Sequence, residues 1–549
     1  MFLTAGKSPP RGYGPVQWKF IDELSVPPFV EGATTLDLSL VNARHQFHST
    51  LPPTDTLAYR LPHGRNGYLG PTIVVPTGHQ LTVRSRNDIE LQPLMRPFGV
   101  GRPPAATHLH GGNVEPGQDG RPYDTFMDLR TYEYANNQDA AGLWYHDQAL
   151  GMARLNVYAG LAGAYLVRDV SVSGIDTGRG DFLPPPPYEV PLILQDMSFG
   201  RSGAMAYPEA WVPEFFGNSA VVNGTAFPFL EVERGVYRFR LYNASNARFY
   251  RLSLRERSSG KATRFWQIGT DGGLLNAPVP LTRLLIAPGE RADLLVDFRA
   301  QPKGTILELA NDAPAPYPLG AHLGHPGGAA LGSIMQFRVT SSSGWAPGRN
   351  QSIAGMNLRP LTPIRRLDKV AAHAKVRSHS LIETTNLLGR PTMMTLDNRT
   401  FTSRDYQSRP VSPESVQVWE FANTTLDSQP IHLHLVQFQV LNRQPFDAGA
   451  YLKNYGHTNQ VLTNMPPYPA PSPSPYLTGR SRDPAPNEMG WKDTVQAPPG
   501  MVTRIVVPFG RGAVDAPVAA RNVHSGDYVW SCQILEHVDN EMVQRYRIE

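Results

Sequence analysis

Six of the sixteen histidines fall in four short clusters: THLHGG with His108 and His110, LWYHDQ with His146, PIHLHLVQF with His432 and His434, and SCQILEHVDNEM with His537. In an extended strand side chains alternate. The imidazoles of a His-x-His pair therefore share one face and can converge on one metal ion or on neighbouring ions. A lone pair of this kind is equally well two half-buried structural histidines. The second pair lies more than 300 residues beyond the first, so the two can meet only across an interface between folding units. The last cluster adds softer donors. Cys532, His537 and Met542 are spaced Cys-x4-His-x4-Met, and thiolate, imidazole and thioether together are the donors of a blue-copper site.

The elements that must carry these clusters read as strands. Three segments alternate with period two and end on asparagine: LTVRSRN at Asn87, YRFRLYN at Asn243 and VQVWEFAN at Asn423. In the second, Tyr237, Phe239 and Leu241 alternate with Arg238, Arg240 and Tyr242, the pattern of a half-buried strand. The spacings of 156 and 180 residues are long enough for one β-sandwich each and too long for solenoid repeats. The Gly/Pro-rich stretches SGIDTGRGDFLPPPP and SSSGWAPGRNQS suit linkers, which places domains at 1–180, 181–355 and 356–549. A third biased stretch, Pro466 to Asn487, cannot pair in a central strand and is expected as a surface loop able to screen a pocket.

Composition excludes several classes. With 41% apolar and 18% charged residues, the 549-residue chain can bury large cores, and it is too long for one. Its 52 prolines and 49 glycines argue against long helices. A net charge of +4 without a Lys/Arg block makes nucleic acid an unexpected partner. No apolar run approaches a membrane span, and the first residues lack an apolar signal core, so no membrane partner and a cytoplasmic location are expected. The single cysteine forbids an internal disulfide.

From GPTIVV at Gly70 to the end, the ordered motifs HLHGGNVEPGQDGRPYD, LWYHDQALGMARLNVYAGLAGAYLVRD, PIHLHLVQFQVLNRQPFD, GWKDTVQAPPG and YVWSCQILEHVDNEM resemble the three-domain multicopper oxidases. The similarity is to the branch of spore-coat laccase, bilirubin oxidase and phenoxazinone synthase. The resemblance implies an all-β fold of three consecutive cupredoxin-like Greek-key β-sandwich domains. It implies a mononuclear copper site in domain 3 and a trinuclear cluster between domains 1 and 3. His108 and His432 match the type 2 ligands, and His110, His146 and His434 belong to the type 3 set. Cys532, His537 and Met542 belong to the type 1 set. The departures fall on ligand positions: Gln148, Gln429, Ser531 and Gln533 stand where the family carries histidine. Val538 stands where relatives of this branch carry a glutamate.

Counting those departures leads to the expectation of no metal, or at most one or two ions of copper or zinc, with a full four-copper set not expected. Four-electron oxygen reduction is then unexpected. The reading that follows is an enzyme for a redox-neutral reaction of an aromatic or polyketide-like small molecule, such as cyclisation, hydrolysis or isomerisation, acting as a monomer. Its catalytic groups would be His108, His110, His146, His432, His434 and Asp119, since imidazole and carboxylate can exchange protons near neutrality. The alternatives are a copper-dependent, laccase-like oxidase of phenols with reduced copper content, and a non-catalytic relic. Asp119 matches a carboxylate near the family's cluster and is otherwise a turn cap before Gly120. His79, His322, His325, His373, His379, His457 and His524 match no ligand pattern and read as surface or loop histidines. Met465 and Met489 read as packing or loop residues.

Overall fold

The computed structural model describes residues 18–90, 92–171, 174–322, 325, 327–348, 352–387, 389–401, 410–455, 470–510 and 523–549. It is almost entirely β-structure, as the resemblance implies, with three pairs of sheets in chain order. The first pair has five and four strands, the second eight and six, and the third five and four. No helix among the described residues is long and apolar enough to cross a membrane.

The three asparagine-ended segments hold the same place in each pair. Leu81–Asp88 pairs parallel with Thr35–His45 and antiparallel with Leu129–Tyr134. Val236–Asn243 pairs the same way with Glu189–Phe199 and Arg291–Asp297, and Ser415–Asn423 with Lys375–Thr385 and Met501–Phe509. The asparagine closes each strand by the same device. Its Oδ1 accepts from the backbone N–H two residues on, at 3.1 Å for Ile89, 3.1 Å for Ser245 and 2.9 Å for Thr425. Its Nδ2 donates to a carbonyl across the turn, that of Pro103, Arg248 or Asp427. This local bond competes with strand continuation and so ends the element.

One expectation is corrected here. Val236–Asn243 is buried along its whole length, because it lies inside the eight-stranded sheet with both faces covered. The arginines that read as its solvent face sit in a closed ionic network. Arg238 donates to Asp293 at 2.9 Å and to Asp176 at 2.8 Å, Arg240 donates to Glu189 at 2.8 Å, and Arg168 donates to Glu189 at 2.9 Å. Three guanidinium groups face three carboxylates, so the buried charge is balanced. Asp176, from the Gly/Pro-rich connection, and Arg168, the last residue of a strand in the first sandwich, anchor that connection against the second sandwich.

The third sandwich packs around Trp419, Phe421, Phe438, Trp530 and Tyr546, all buried with Cys532 and Met542. Burying such side chains stabilises by about 1.5–3 kcal/mol each before the entropy of ordering them is counted. The outer sandwiches are tied by Asp539, whose carboxylate accepts from the backbone N–H of Ala153 and Arg154 at 3.1 and 3.0 Å at the start of helix Ala153–Ala159. The described end of the proline-rich loop ties the third sandwich to the second, Asn487 donating to Gln267 at 3.0 Å. Residues 466–469 of that loop, Met465 and His457 lie outside the described residues.

Candidate metal centre

Two strands bring the His-x-His pairs together. Thr107–His110 pairs antiparallel with Ala141–Asp147 so that His108 faces His146 across the ladder. Gln429–Leu433 lies between Thr494–Ala497 and Gly526–Cys532, with His432 opposite both Thr494 and Ser531, and His434 follows its end. The two sandwiches meet with these strands face to face. His108 stacks on His434 at 3.9 Å between ring centroids, and His110 on His432 at 3.6 Å. His146 lies 5.5 Å from His108. All five imidazoles are buried.

Each ring is oriented by its outer nitrogen. His108 Nδ1 donates to the Asp119 carbonyl at 2.7 Å, His432 Nδ1 to the Asp493 carbonyl at 2.9 Å, and His146 Nδ1 to the Asp147 carbonyl at 2.9 Å. His434 Nδ1 donates to the Asp119 carboxylate at 2.7 Å. The inner Nε2 atoms of His108 and His432 are buried and have no hydrogen-bond partner. An acceptor nitrogen left bare in this way fits a metal ion, the outer bond having settled the tautomer. Burial pushes all five imidazoles below their usual range, farthest for His110 and His146, so they are neutral and able to ligate.

Asp119 lies against the histidine cluster, and the strand can approach it because Gly120 follows. A Cβ on Gly120 would lie 2.0 Å from the Thr107 carbonyl oxygen, and its φ is +66°. Burial works against ionisation of Asp119, but His434 and His108 outweigh it and hold the carboxyl below the usual range. Three supporting residues were not singled out from the sequence. Asp493 Oδ1 lies 3.2 Å from His110 Nε2, Thr494 Oγ1 lies 3.1 Å from the same atom, and Arg291 donates to Asp493 at 2.6 Å. The motif GWKDTVQAPPG contains two of them, and a carboxylate directly before the strand Thr494–Ala497 was the available signal. Among the substituted positions, the Gln148 amide lies 3.3 Å from His434 Nε2, while Gln148 Oε1, Gln533 Nε2 and Ser531 Oγ have no partner.

The second pocket lies on the other face of the same strand. Because side chains alternate, Cys532 points away from the side taken by Ser531 and Gln533. Its thiol donates to Gln429 Oε1 at 3.2 Å and lies 3.5 Å from His537 Nδ1. Gln429 Oε1 is also 3.0 Å from that nitrogen. Met542 is buried, and its backbone bonds to both Cys532 and His537. Burial pushes the thiol pKa up. The set is thus thiol, imidazole and amide oxygen in contact, with a thioether residue held beside them.

Among the described residues, four groups of histidine and aspartate offer ligand atoms within 4.8 Å of one another: His108/His432/His434, His108/His110/His146, His110/His432/Asp493 and His322/His325/Asp427. The first three share members around the one cavity. The expectation of at most one or two ions is corrected by this set. Counting histidines at motif positions missed the carboxylate of Asp493 that joins them and missed the fourth group entirely. His325 is correspondingly not a surface histidine; it is buried between Glu214, Glu383 and Asp427.

The sequence profile described as multicopper oxidase matches residues 63–171 and 376–549. A laccase of Bacillus stratosphericus is 35% identical over 96% of this chain and 98% of its own length. A laccase of Bacillus subtilis (strain 168) is 33% identical over the same shares. The crystal structure of the McoA multicopper oxidase of Aquifex aeolicus superposes with a TM-score of 0.72 at 26% identity, covering 96% of this chain and 99% of that one. Similarity of this extent to oxidative enzymes, together with neutral imidazoles converging on bare nitrogens, overturns the redox-neutral reading and the expectation that oxygen reduction is improbable. The chain belongs to the multicopper oxidase family.

Proposed function

We propose that the protein is a copper-dependent, laccase-like oxidase that takes electrons from phenolic small molecules and passes them to dioxygen. The observation that carries this reading is the pair of unpartnered Nε2 atoms on His108 and His432, brought from two sandwiches into one buried cluster. His108, His110, His146, His432 and His434 would hold the interdomain copper ions, and Cys532, His537 and Met542 the mononuclear one. The Gln429 amide oxygen, already in contact with Cys532 and His537, occupies the remaining place in the second pocket. Copper, when bound, supplies one-electron acceptance from the phenol and electron delivery to oxygen.

The chain does the rest. Ser531 pairs in register with His432, and Cys532 follows it directly, so a short covalent and hydrogen-bonded path joins the two pockets. Asp119 Oδ2 accepts from His434 and keeps that ring's Nε2 turned inward. Asp119 Oδ1 has no hydrogen bond and lies 3.5 Å from His108 Nδ1, so the ionised carboxylate faces the outer nitrogens of both rings. Strand limits support domains at 1–180, 181–355 and 356–549, since strands end at Arg168, resume at Glu189, end at Ser343 and resume at Lys375.

Protein produced with excess copper tests the reading by bound copper per chain, the thiolate-to-copper absorption band and oxygen uptake with a simple phenol. Retained copper with phenol-dependent oxygen uptake is expected. A chain that loses all copper to desalting and consumes no oxygen sinks the proposal.

A further inference from the structure

The fourth donor group lies beyond the cavity between the outer sandwiches, on the far side of His537, where loops of the second sandwich meet the third. His322 and His325 form a two-residue bridge, each backbone N–H donating to the other's carbonyl at 3.1 and 3.0 Å. That closure stacks their rings at 4.5 Å and 19°. Ser428 N–H donates to the Tyr317 carbonyl at 2.8 Å and ties the neighbouring strand to the same loop, which brings in Asp427.

The nitrogens are sorted as at a metal site. His322 Nδ1 donates to the Gly320 carbonyl at 2.8 Å, leaving Nε2 bare and 3.7 Å from Asp427 Oδ2. His325 Nε2 bonds to Glu383 at 3.1 Å, which turns Nδ1 toward Asp427 Oδ2 at 3.3 Å and Glu214 Oε2 at 2.9 Å. A carboxylate or carbonyl on the outer nitrogen is what orients a ligating histidine. Asp427 is buried, and neither of its carboxylate oxygens has a hydrogen bond. Among the described residues, the ion-pair partners of Glu214, Glu383 and Asp427 are histidines alone. His325, bonded through one nitrogen to Glu214 and through the other to Glu383, is the one cation among them facing three carboxylates, and a dication that displaces its Nδ1 proton would complete the charge balance.

We propose that His322 Nε2, His325 Nδ1 and Asp427, with Glu214 as a fourth ligand, form a mononuclear site for a resident, redox-inert divalent ion of the zinc class. Two imidazoles with carboxylates favour such an ion over calcium or magnesium, which take oxygen donors. The ion replaces the Nδ1 proton of His325 that Glu214 and Asp427 now face, and that proton leaves to solvent. Glu214 gives the site a regulatory reach. Its other oxygen, Oε1, lies 3.1 Å from His537 Nε2, so an ion on Oε2 draws charge from the carboxylate that supports His537. This consequence rests on the oxidase reading; zinc binding itself does not.

Copper-loaded protein, desalted and titrated with Zn2+ by calorimetry, tests the site. We expect one added equivalent, bound at least ~10-fold more weakly by His322→Ala and by Asp427→Asn, with thermal unfolding of the zinc-free His322→Ala protein unchanged. The same addition should shift the thiolate-to-copper band of the parent protein and leave that of His322→Ala unmoved. Zinc binding absent from the parent, or equally strong in both variants, overturns the site. Zinc binding that leaves the parent band unmoved overturns the link through Glu214. Because binding is read without turnover, a protein inactive toward phenols but with His322-dependent zinc binding would sink the oxidase reading alone.

Discussion

His434 Nδ1 and the Asp119 carboxylate lie 2.7 Å apart although 315 residues separate them in the chain. One comes from the third sandwich and one from the first, so the bond exists only when the two are docked. Asp119→Asn keeps the shape and replaces the charged acceptor by an amide. Copper affinity or phenol oxidation is expected to fall ~10–100-fold, the usual loss when a partner of a ligating histidine changes. Copper retention measured against a competing chelator checks this, and an unchanged affinity would show that His434 needs no such support.

Gln429→His offers the second pocket an imidazole in place of an amide oxygen that already touches Cys532 and His537. Imidazole is the better donor to copper. A stronger thiolate-to-copper band and slower copper loss are expected, visible by absorption during dialysis against chelator.

Cys532 is fully buried and its thiol is pushed up by that burial, so the thiolate is scarce in the metal-free protein. Maleimide should modify it negligibly at neutral pH until denaturant is added, and then stoichiometrically. Mass spectrometry of timed samples reads the difference; rapid labelling of native protein would mean the pocket is open.

Arg238→Ala leaves Asp176 and Asp293 in the second sandwich without their principal partner. Breaking a buried ion pair from one side typically costs about 3–5 kcal/mol. Chemical denaturation with a second probe on the third sandwich should show the loss, with Arg238→Lys costing less.

The same network predicts acid sensitivity. Burial opposes ionisation of Glu189, but Arg168, Arg240 and Arg238 outweigh it and hold its pKa at about 2, against a usual 4.5. A carboxyl depressed on folding stabilises the native state fully above the unfolded value and ceases to do so as pH falls through the folded one. Stability should therefore decline between about 4.5 and 2. Unfolding followed against pH should show this decline shrinking in Glu189→Gln, which lacks the titrating group.

The sequence alone determined the all-β fold, because period-two alternation and the asparagines at 87, 243 and 423 act through neighbours along the chain. It also placed the imidazoles of each His-x-His pair on one face, a consequence of strand geometry. Which nitrogens stand bare, and that Asp493, Thr494 and Arg291 support His110, only tertiary docking decided. Donors hundreds of residues apart have no shared periodicity to betray them. His322, His325 and Asp427 carry no motif and converge through two loops from different sandwiches. Arg238 and Arg240 misread as a solvent face for the same reason: alternation reports polarity, and only the covering layer decides whether polarity meets water or opposite charge.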